Sequence, residues 1–162
     1  LPDKPVTLVL DAPIGWALCH PIRVPYLVII SDNPCPEYRL ALLEQRPLAL
    51  LSGASLREIA SILKRGAPPQ PIPYSPLSDI EQLTLRLIAL GHSNSDIAEQ
   101  RGVAPQTVKN AVRAVYQKLN LSSRVGLAHY YFGNWYLLLE RGWLPPGHLS
   151  VPEAMIPIDA QH

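Results

Sequence analysis

Residues 93–119 read SNSDIAEQRGVAPQTVKNAVRAVYQKL, and this stretch decides the fold of the second half of the chain. Ser93 is placed to cap a short helix whose apolar side is Ile97 and Ala98. Gly102 stops that helix, and Arg101-Gly102-Val103-Ala104 turns the chain. Pro105 then falls in the first turn of another helix, where its missing N–H removes no intrahelical bond. The second helix runs to about Leu119, with Val108, Ala111, Val112, Val115 and Leu119 as its apolar stripe. A short helix, a glycine-containing turn and a second helix make a helix-turn-helix. Lys109, Asn110, Arg113 and Gln117 fall off the stripe, as does Gln106 in the first turn.

Outward from this core, every neighbouring signal is also helical. Ser78 with Glu81 three residues on reads as a capping box, and Gly91 closes the helix it opens. Leu77, Ile80, Leu83, Leu87 and Ile88 are the expected buried side of that helix. Ser122 or Ser123 caps a fourth helix reaching toward Arg141, with Leu127, Ala128, Tyr131 and Trp135 on its packing face. Residues 77–141 are thus expected to form an all-α four-helix domain. Before it, residues 68–76 (PPQPIPYSP) are a stiff, extended linker, since proline lacks the donor and restricts its predecessor. Residues 142–162 form a proline-rich tail without sustained periodicity.

Residues 1–67 alternate between strand-like and helix-like pieces. Val6–Leu10, Tyr26–Ile30 and Leu48–Leu51 are short apolar runs, each ending at a polar residue, and they suit strands of a parallel sheet buried on both faces. Glu37 to Gln45 carries Tyr38, Leu42 and Leu43 at helical spacing. Ser55 and Glu58 open a further helix with Leu56, Ile59, Ile62 and Leu63 as its stripe, stopped by Gly66. Between Asp11 and Tyr26, four prolines and glycines leave little room for a full helix. The sum is a small α/β unit of order β–β–α–β–α.

Composition narrows the function classes. Fourteen Lys and Arg stand against thirteen Asp and Glu, a net charge of +1, so any nucleic-acid reading must rest on where the charges fall. No apolar run of roughly 18 residues is present, and no basic cluster precedes an apolar core as in a signal peptide. The chain begins at Leu1 rather than Met, which places a natural start upstream or a trimmed one. Cys19 and Cys35 match no common zinc spacing and read as reduced thiols of a cytoplasmic bacterial protein. No metal or cofactor is expected. The histidines are scattered, with no nucleophile–base pair, phosphate loop or paired carboxylates, so an enzyme is not expected.

The stretches Leu77-Ser-Asp-Ile-Glu81, Leu85-Arg-Leu-Ile-Ala-Leu-Gly91, Ser93-Asn-Ser-Asp-Ile-Ala98, Thr107-Val-Lys109, Lys118-Leu119 and Ser123-Arg124 resemble the LuxR/NarL/FixJ family in order and spacing. The resemblance covers residues 77–130. It implies a four-helix domain whose third helix enters the major groove of double-stranded DNA and whose fourth often dimerises. Carried over by position, it places Lys109, Asn110 and Arg113 toward the groove and Lys118 near the backbone. The residue types suit that role independently: Lys and Arg reach phosphates or guanine, and Asn and Gln pair with adenine. Gln106 and Thr107 open the groove-facing helix, and Ser93 and Asn94 start the preceding one, where short polar groups suit phosphate oxygens. Arg124, at the start of the fourth helix, is a further phosphate candidate. The chain departs from the family with Ile80 for a usual Arg, Leu83 for a frequent Glu, Arg101 for a common Leu and Ala111 for a frequent His. Sequence preference is where these departures act.

The N-terminal unit resembles the end of a response-regulator receiver domain. Leu27–Ser31 matches a fourth receiver strand with its terminal hydroxyl, and Leu48–Ser52 a fifth. Asp11 then stands where a phosphate acceptor would. Ser52 occupies the position of the receiver's lysine, and the acidic pair of the first strand is absent from this chain. The unit therefore reads as a shortened, degenerate receiver, with Asp11 a vestigial acceptor. The reading favoured is a homodimeric, sequence-specific transcriptional regulator not controlled by aspartyl phosphorylation. Its N-terminal unit would dimerise or hold a regulatory protein partner. Two alternatives stand beside it. One is a protein-interaction adaptor built on a helix-turn-helix scaffold. The other is a phosphorylation-gated regulator whose front half precedes Leu1.

Overall fold

The computed structural model describes residues 5–53, 56–66 and 71–156. The chain divides into two units, residues 1–74 and 75–162. Part of the proline-rich stretch 68–76 and the Ser55 cap lie outside the described residues.

In the first unit, three short strands alternate with helices: β1 (Thr7–Leu10), α1 (Trp16–Cys19), β2 (Leu27–Ile30), α2 (Pro36–Leu43), β3 (Ala49–Leu51) and α3 (Leu56–Arg65). All pairings are parallel, in the spatial order β1-β2-β3. Parallel neighbours need a crossover, and the residues between β1 and β2 supply only the single turn α1. The sequence order therefore gains one small helix over the expected pattern.

The register Leu8↔Val28↔Ala49 marks one face of the sheet, and α3 packs on it through Ile62. Val9↔Ile29↔Leu50 marks the other, where side chains alternate with period two. Burial of both faces holds for β2, whose Leu27, Val28 and Ile29 are all buried. It fails for β1. Leu8 and Leu10 are 48% and 63% exposed, because α3 settles over Val28 and Ala49 rather than over them. Gln45, just past α2, secures the α1 region: its amide donates to the Ala17 carbonyl and accepts from the Ile22 N–H.

The second unit is helical throughout the described residues: α4 (Asp79–Ala89), α5 (Asn94–Arg101), α6 (Pro105–Leu119), α7 (Arg124–Tyr131) and α8 (Trp135–Glu140), followed by a 3-10 turn at Glu153–Met155. Ser78 and Ser93 each form a full capping box, with Glu81 and Asp96 respectively. The core consists of Leu85, Ile97, Val108, Val115, Leu119, Leu127 and Tyr130, all fully buried. Two expectations need correction. Ile80 and Leu83 do not belong to the buried side of α4; they are 55% and 42% exposed, and Thr84 and Leu85 point inward in their place. The fourth helix does not run to Arg141. It stops at Tyr131 because Gly133 takes φ 75°, letting its N–H reach Tyr130 O and the Asn134 N–H reach His129 O. That closure satisfies the last carbonyls and ends the helix.

Beyond this stop the chain folds back. Trp135 donates its indole N–H to Tyr130 O, and Trp143 donates to Leu119 O at the C-terminus of α6. Tyr130 stacks on Trp135, and Trp143 meets both rings edge-on. Of the expected tail, Trp143 is therefore part of the core, while Leu144 beside it is exposed. Among the described residues no helix is long and apolar enough to cross a membrane, and both cysteines are free thiols.

Candidate nucleic-acid interface

Gly102 joins α5 to α6 in the left-handed conformation, φ 61°, which glycine adopts without a Cβ penalty. The Val103 N–H returns to Ala98 O, closing the turn tightly. Ile97 and Ala98 of α5 are buried, as are Val108 and Val112 of α6, so the apolar stripe seats the second helix on the core. What remains outward is a continuous row of exposed side chains: Gln106, Lys109, Asn110, Arg113 and Gln117, with Thr107 beside its start. The spacing of four, three and one keeps these residues on one side of the helix. The whole of α6 contains no acidic residue. Its local field is therefore positive in a chain whose net charge is only +1.

The four cations expected at DNA separate into two pairs. Lys109 and Arg113 are exposed, and among the described residues neither makes an ion pair or hydrogen bond. Lys118 is committed: its ammonium bonds Glu81 Oε2 at 2.7 Å and the Pro76 carbonyl at 3.2 Å. Arg124 is committed as well, donating to Asn94 Oδ1 at 2.8 Å and to the His92 carbonyl. Both act as internal clamps, one on the start of α4 and the other on the start of α5. The Ser93 hydroxyl accepts from the Asp96 N–H at 3.1 Å, and the Asp96 carboxylate accepts from the Ser93 N–H at 2.8 Å. That backbone N–H, with the Ser93 hydroxyl, holds the Asp96 carboxyl below its ordinary pKa. Ser93 and Asn94 thus spend one polar group each on the fold. The partners of Lys118 and Arg124 lie 30 or more residues away and carry no local signature.

Residues 75–131 match the family described as bacterial regulatory proteins, luxR family. The C-terminal unit carries a LuxR-family helix-turn-helix domain. Over 56 residues the chain is 43% identical to the HTH-type transcriptional regulator MalT of Vibrio campbellii, a match covering 35% of this chain and 6% of that protein. It is 43% identical over 54 residues to a putative HTH-type transcriptional regulator of Mycobacterium tuberculosis, covering 33% of this chain and 6% of the relative. The chain thus spans only a small fraction of these relatives. Among solved structures, a complex of the two-component response regulator RcsB with DNA aligns over 64% of this chain and 57% of its own, at 21% identity and a TM-score of 0.34. The response regulator ChrA of a heme-sensing two-component system aligns over 64% and 60%, at 20% identity and a TM-score of 0.33. The LuxR-family match ends at Tyr131, before the Gly133 stop. The aromatic fold-back through Trp135 and Trp143 lies outside it.

In the N-terminal unit, Asp11 follows β1 and is 4% exposed. Its Oδ1 accepts from the Gly15 and Ala17 N–H groups at 3.2 and 3.0 Å. Its Oδ2 accepts from the Ser31 hydroxyl at 2.8 Å and the Tyr38 hydroxyl at 2.6 Å. Asp11 and Ser31 are thus brought together at the carboxyl ends of neighbouring strands. Ser52, at the end of the third, receives a 2.9 Å bond from the Arg39 guanidinium, which also donates to Ser31 O. Tyr38 and Arg39 were not read as site residues from sequence; each reaches the strand ends from α2.

Proposed function

We propose that this chain is a sequence-specific, double-stranded-DNA-binding transcriptional regulator that works as a homodimer and is not switched by aspartyl phosphorylation. The observation that carries the reading is the acid-free outer row of α6, with two uncommitted cations, Lys109 and Arg113, interleaved with the amides Gln106 and Asn110. A helix following a tight glycine turn and presenting cations and carboxamides has the chemistry for major-groove edges and flanking phosphates. Thr107, Ser93 and Asn94 sit at helix starts where N–H groups and short polar side chains suit phosphate oxygens. Lys118 and Arg124 support the interface by holding its helices.

For the N-terminal unit, the receiver-like reading is supported by three consecutive parallel strands with Asp11, Ser31 and Ser52 at their ends. Four hydrogen bonds already occupy the Asp11 carboxylate, and the lysine that would offset a phosphoryl group is replaced by Ser52. Asp11 then serves as a structural hub. The unit is left to dimerise or to hold a regulatory protein.

Selection from a random-sequence double-stranded DNA library tests the whole reading, comparing the native chain with a Lys109→Ala/Arg113→Ala variant at moderate salt. A two-fold motif enriched by the native chain and lost by the variant supports it. Equal absence of enrichment for both overturns it. Incubation with acetyl phosphate, followed by intact-mass measurement, tests the switch: a phosphoryl adduct at Asp11 would rule out the hub.

A further inference from the structure

Two of the exposed side chains on α6 do not act singly. Gln106 Nε2 donates to Asn110 Oδ1 at 3.0 Å, joining the two amides across one turn of the helix. Both residues are exposed, and the pair sits among Lys109 and Arg113, where no carboxylate of the helix competes for it. We propose that Gln106 and Asn110 form a single reading element that selects adenine in each half-site. This rests on the reading of α6 as the DNA-contacting helix and names the base it reads.

Donors and acceptors decide which base suits the pair. Adenine shows the major groove an acceptor, N7, beside a donor, N6–H2, and a carboxamide matches that order with one N–H and one C=O. Guanine shows two adjacent acceptors, N7 and O6, which suit a cation and set an amide oxygen against O6. An isolated carboxamide escapes that conflict by rotating, since its two ends differ little in shape. Here rotation is coupled to that of a second amide. The Gln106 N–H holds Asn110 Oδ1, and turning the Asn110 amide over alone would set N–H against N–H, so the two amides turn only together. One lone pair of Oδ1 stays open for adenine N6, while Nδ2 carries the donors for N7. The internal bond also pre-orders two rotamer-rich side chains before DNA arrives, lowering the ordering cost of binding. Lys109 and Arg113 then supply phosphate and guanine contacts on either side. A mere helix-stabilising amide pair would have no base preference.

The experiment is the random-library selection at fixed salt, run on the native chain, Asn110→Ala, Gln106→Ala, the double variant and Asn110→Arg. The native chain should enrich adenine at one fixed position of each half-site. Asn110→Ala should lower that preference on the order of tenfold while leaving the slope of affinity against salt unchanged. Gln106→Ala should weaken it partly, and the double variant should be no worse than Asn110→Ala, as for one coupled element. Asn110→Arg should move the preference at that position to guanine. A motif that persists unchanged in Asn110→Ala, or one without adenine, overturns this proposal and leaves the DNA reading intact. Absence of any motif for the native chain overturns the DNA reading and this proposal with it.

Discussion

Lys118 Nζ lies 2.7 Å from Glu81 Oε2, and the same oxygen accepts the Ser78 N–H at 2.8 Å. One carboxylate thereby caps α4 and anchors the far end of α6. The helix proposed to meet DNA is held at its trailing end by the first helix of its own domain.

Glu81→Gln keeps an acceptor for the Ser78 N–H but removes the ion pair, and should cost about 0.5–1 kcal/mol in urea denaturation near neutral pH. Burial alone would raise the Glu81 pKa, but the Lys118 ammonium and the Ser78 N–H outweigh it and hold the carboxyl below its ordinary value. A depressed folded-state pKa gives stability that is present above the unfolded value and lost as pH falls through the folded one. The gap between native chain and variant should therefore close as pH drops below the usual glutamate range. A gap that widens in acid would contradict this assignment.

Arg124→Ala removes charge-assisted bonds to Asn94 and the His92 carbonyl, and should destabilise the C-terminal unit by about 1.5–3 kcal/mol. Because Arg124 is a clamp, the slope of log affinity against log salt should not change. Lys109→Ala should reduce that slope by about one if the side chain meets a phosphate. Equal slope changes in the two variants would make Arg124 a phosphate contact.

Asp11→Ala strands the Ala17 N–H and the Ser31 and Tyr38 hydroxyl donors in a buried site, while the Gly15 N–H keeps the Tyr38 hydroxyl at 2.7 Å, and should cost about 3 kcal/mol or more in the N-terminal unit. Tyr38→Phe removes one of those hydroxyls and should cost about 1–2 kcal/mol. Amide exchange at Ala17 reports the same hub: slow in the native chain, fast in Asp11→Ala, with Gly15 affected less because its N–H also reaches the Tyr38 hydroxyl. Unchanged exchange at Ala17 would show that its N–H does not depend on Asp11.

Cys35 is fully buried and its thiol donates to Glu37 Oε2 at 3.3 Å. Burial, and then the nearby Glu37 carboxylate, push its pKa well above the ordinary thiol value. Since the thiolate is the nucleophile, a thiol reagent at pH 8 should label the exposed Cys19 rapidly and Cys35 only on unfolding. Rapid labelling of both would show that the α2 entry opens readily.

What sequence reading recovered here is short-range chemistry. Ser78 with Glu81, Ser93 with Ile97 and Gly102 before Pro105 each declare a helix end within a few residues, and α4, α5 and α6 begin and end close to those marks. The apolar runs located three strands within a residue at their starts. The exposure of Leu8 and Leu10 was not legible, because it depends on where α3, some fifty residues later, comes to rest. Gly133 was legible locally, yet apolar residues spaced from Leu127 to Trp135 masked the stop. Nor does charge type locate the internal partners of Lys118 and Arg124, which lie 37 and 30 residues away. A basic residue announces that it wants company, not where that company is.

Trp143 closes the final turn of α6 by taking up the Leu119 carbonyl, yet it stands twelve residues beyond the last one shared with LuxR-family relatives. Kinship and self-sufficiency thus have different borders in this molecule. A piece cut where the family match ends would leave that carbonyl without its indole and the Tyr130 ring without two of its neighbours. The portion that keeps its own packing is longer than the portion the family match spans, and grafts of this domain should carry the chain through Trp143.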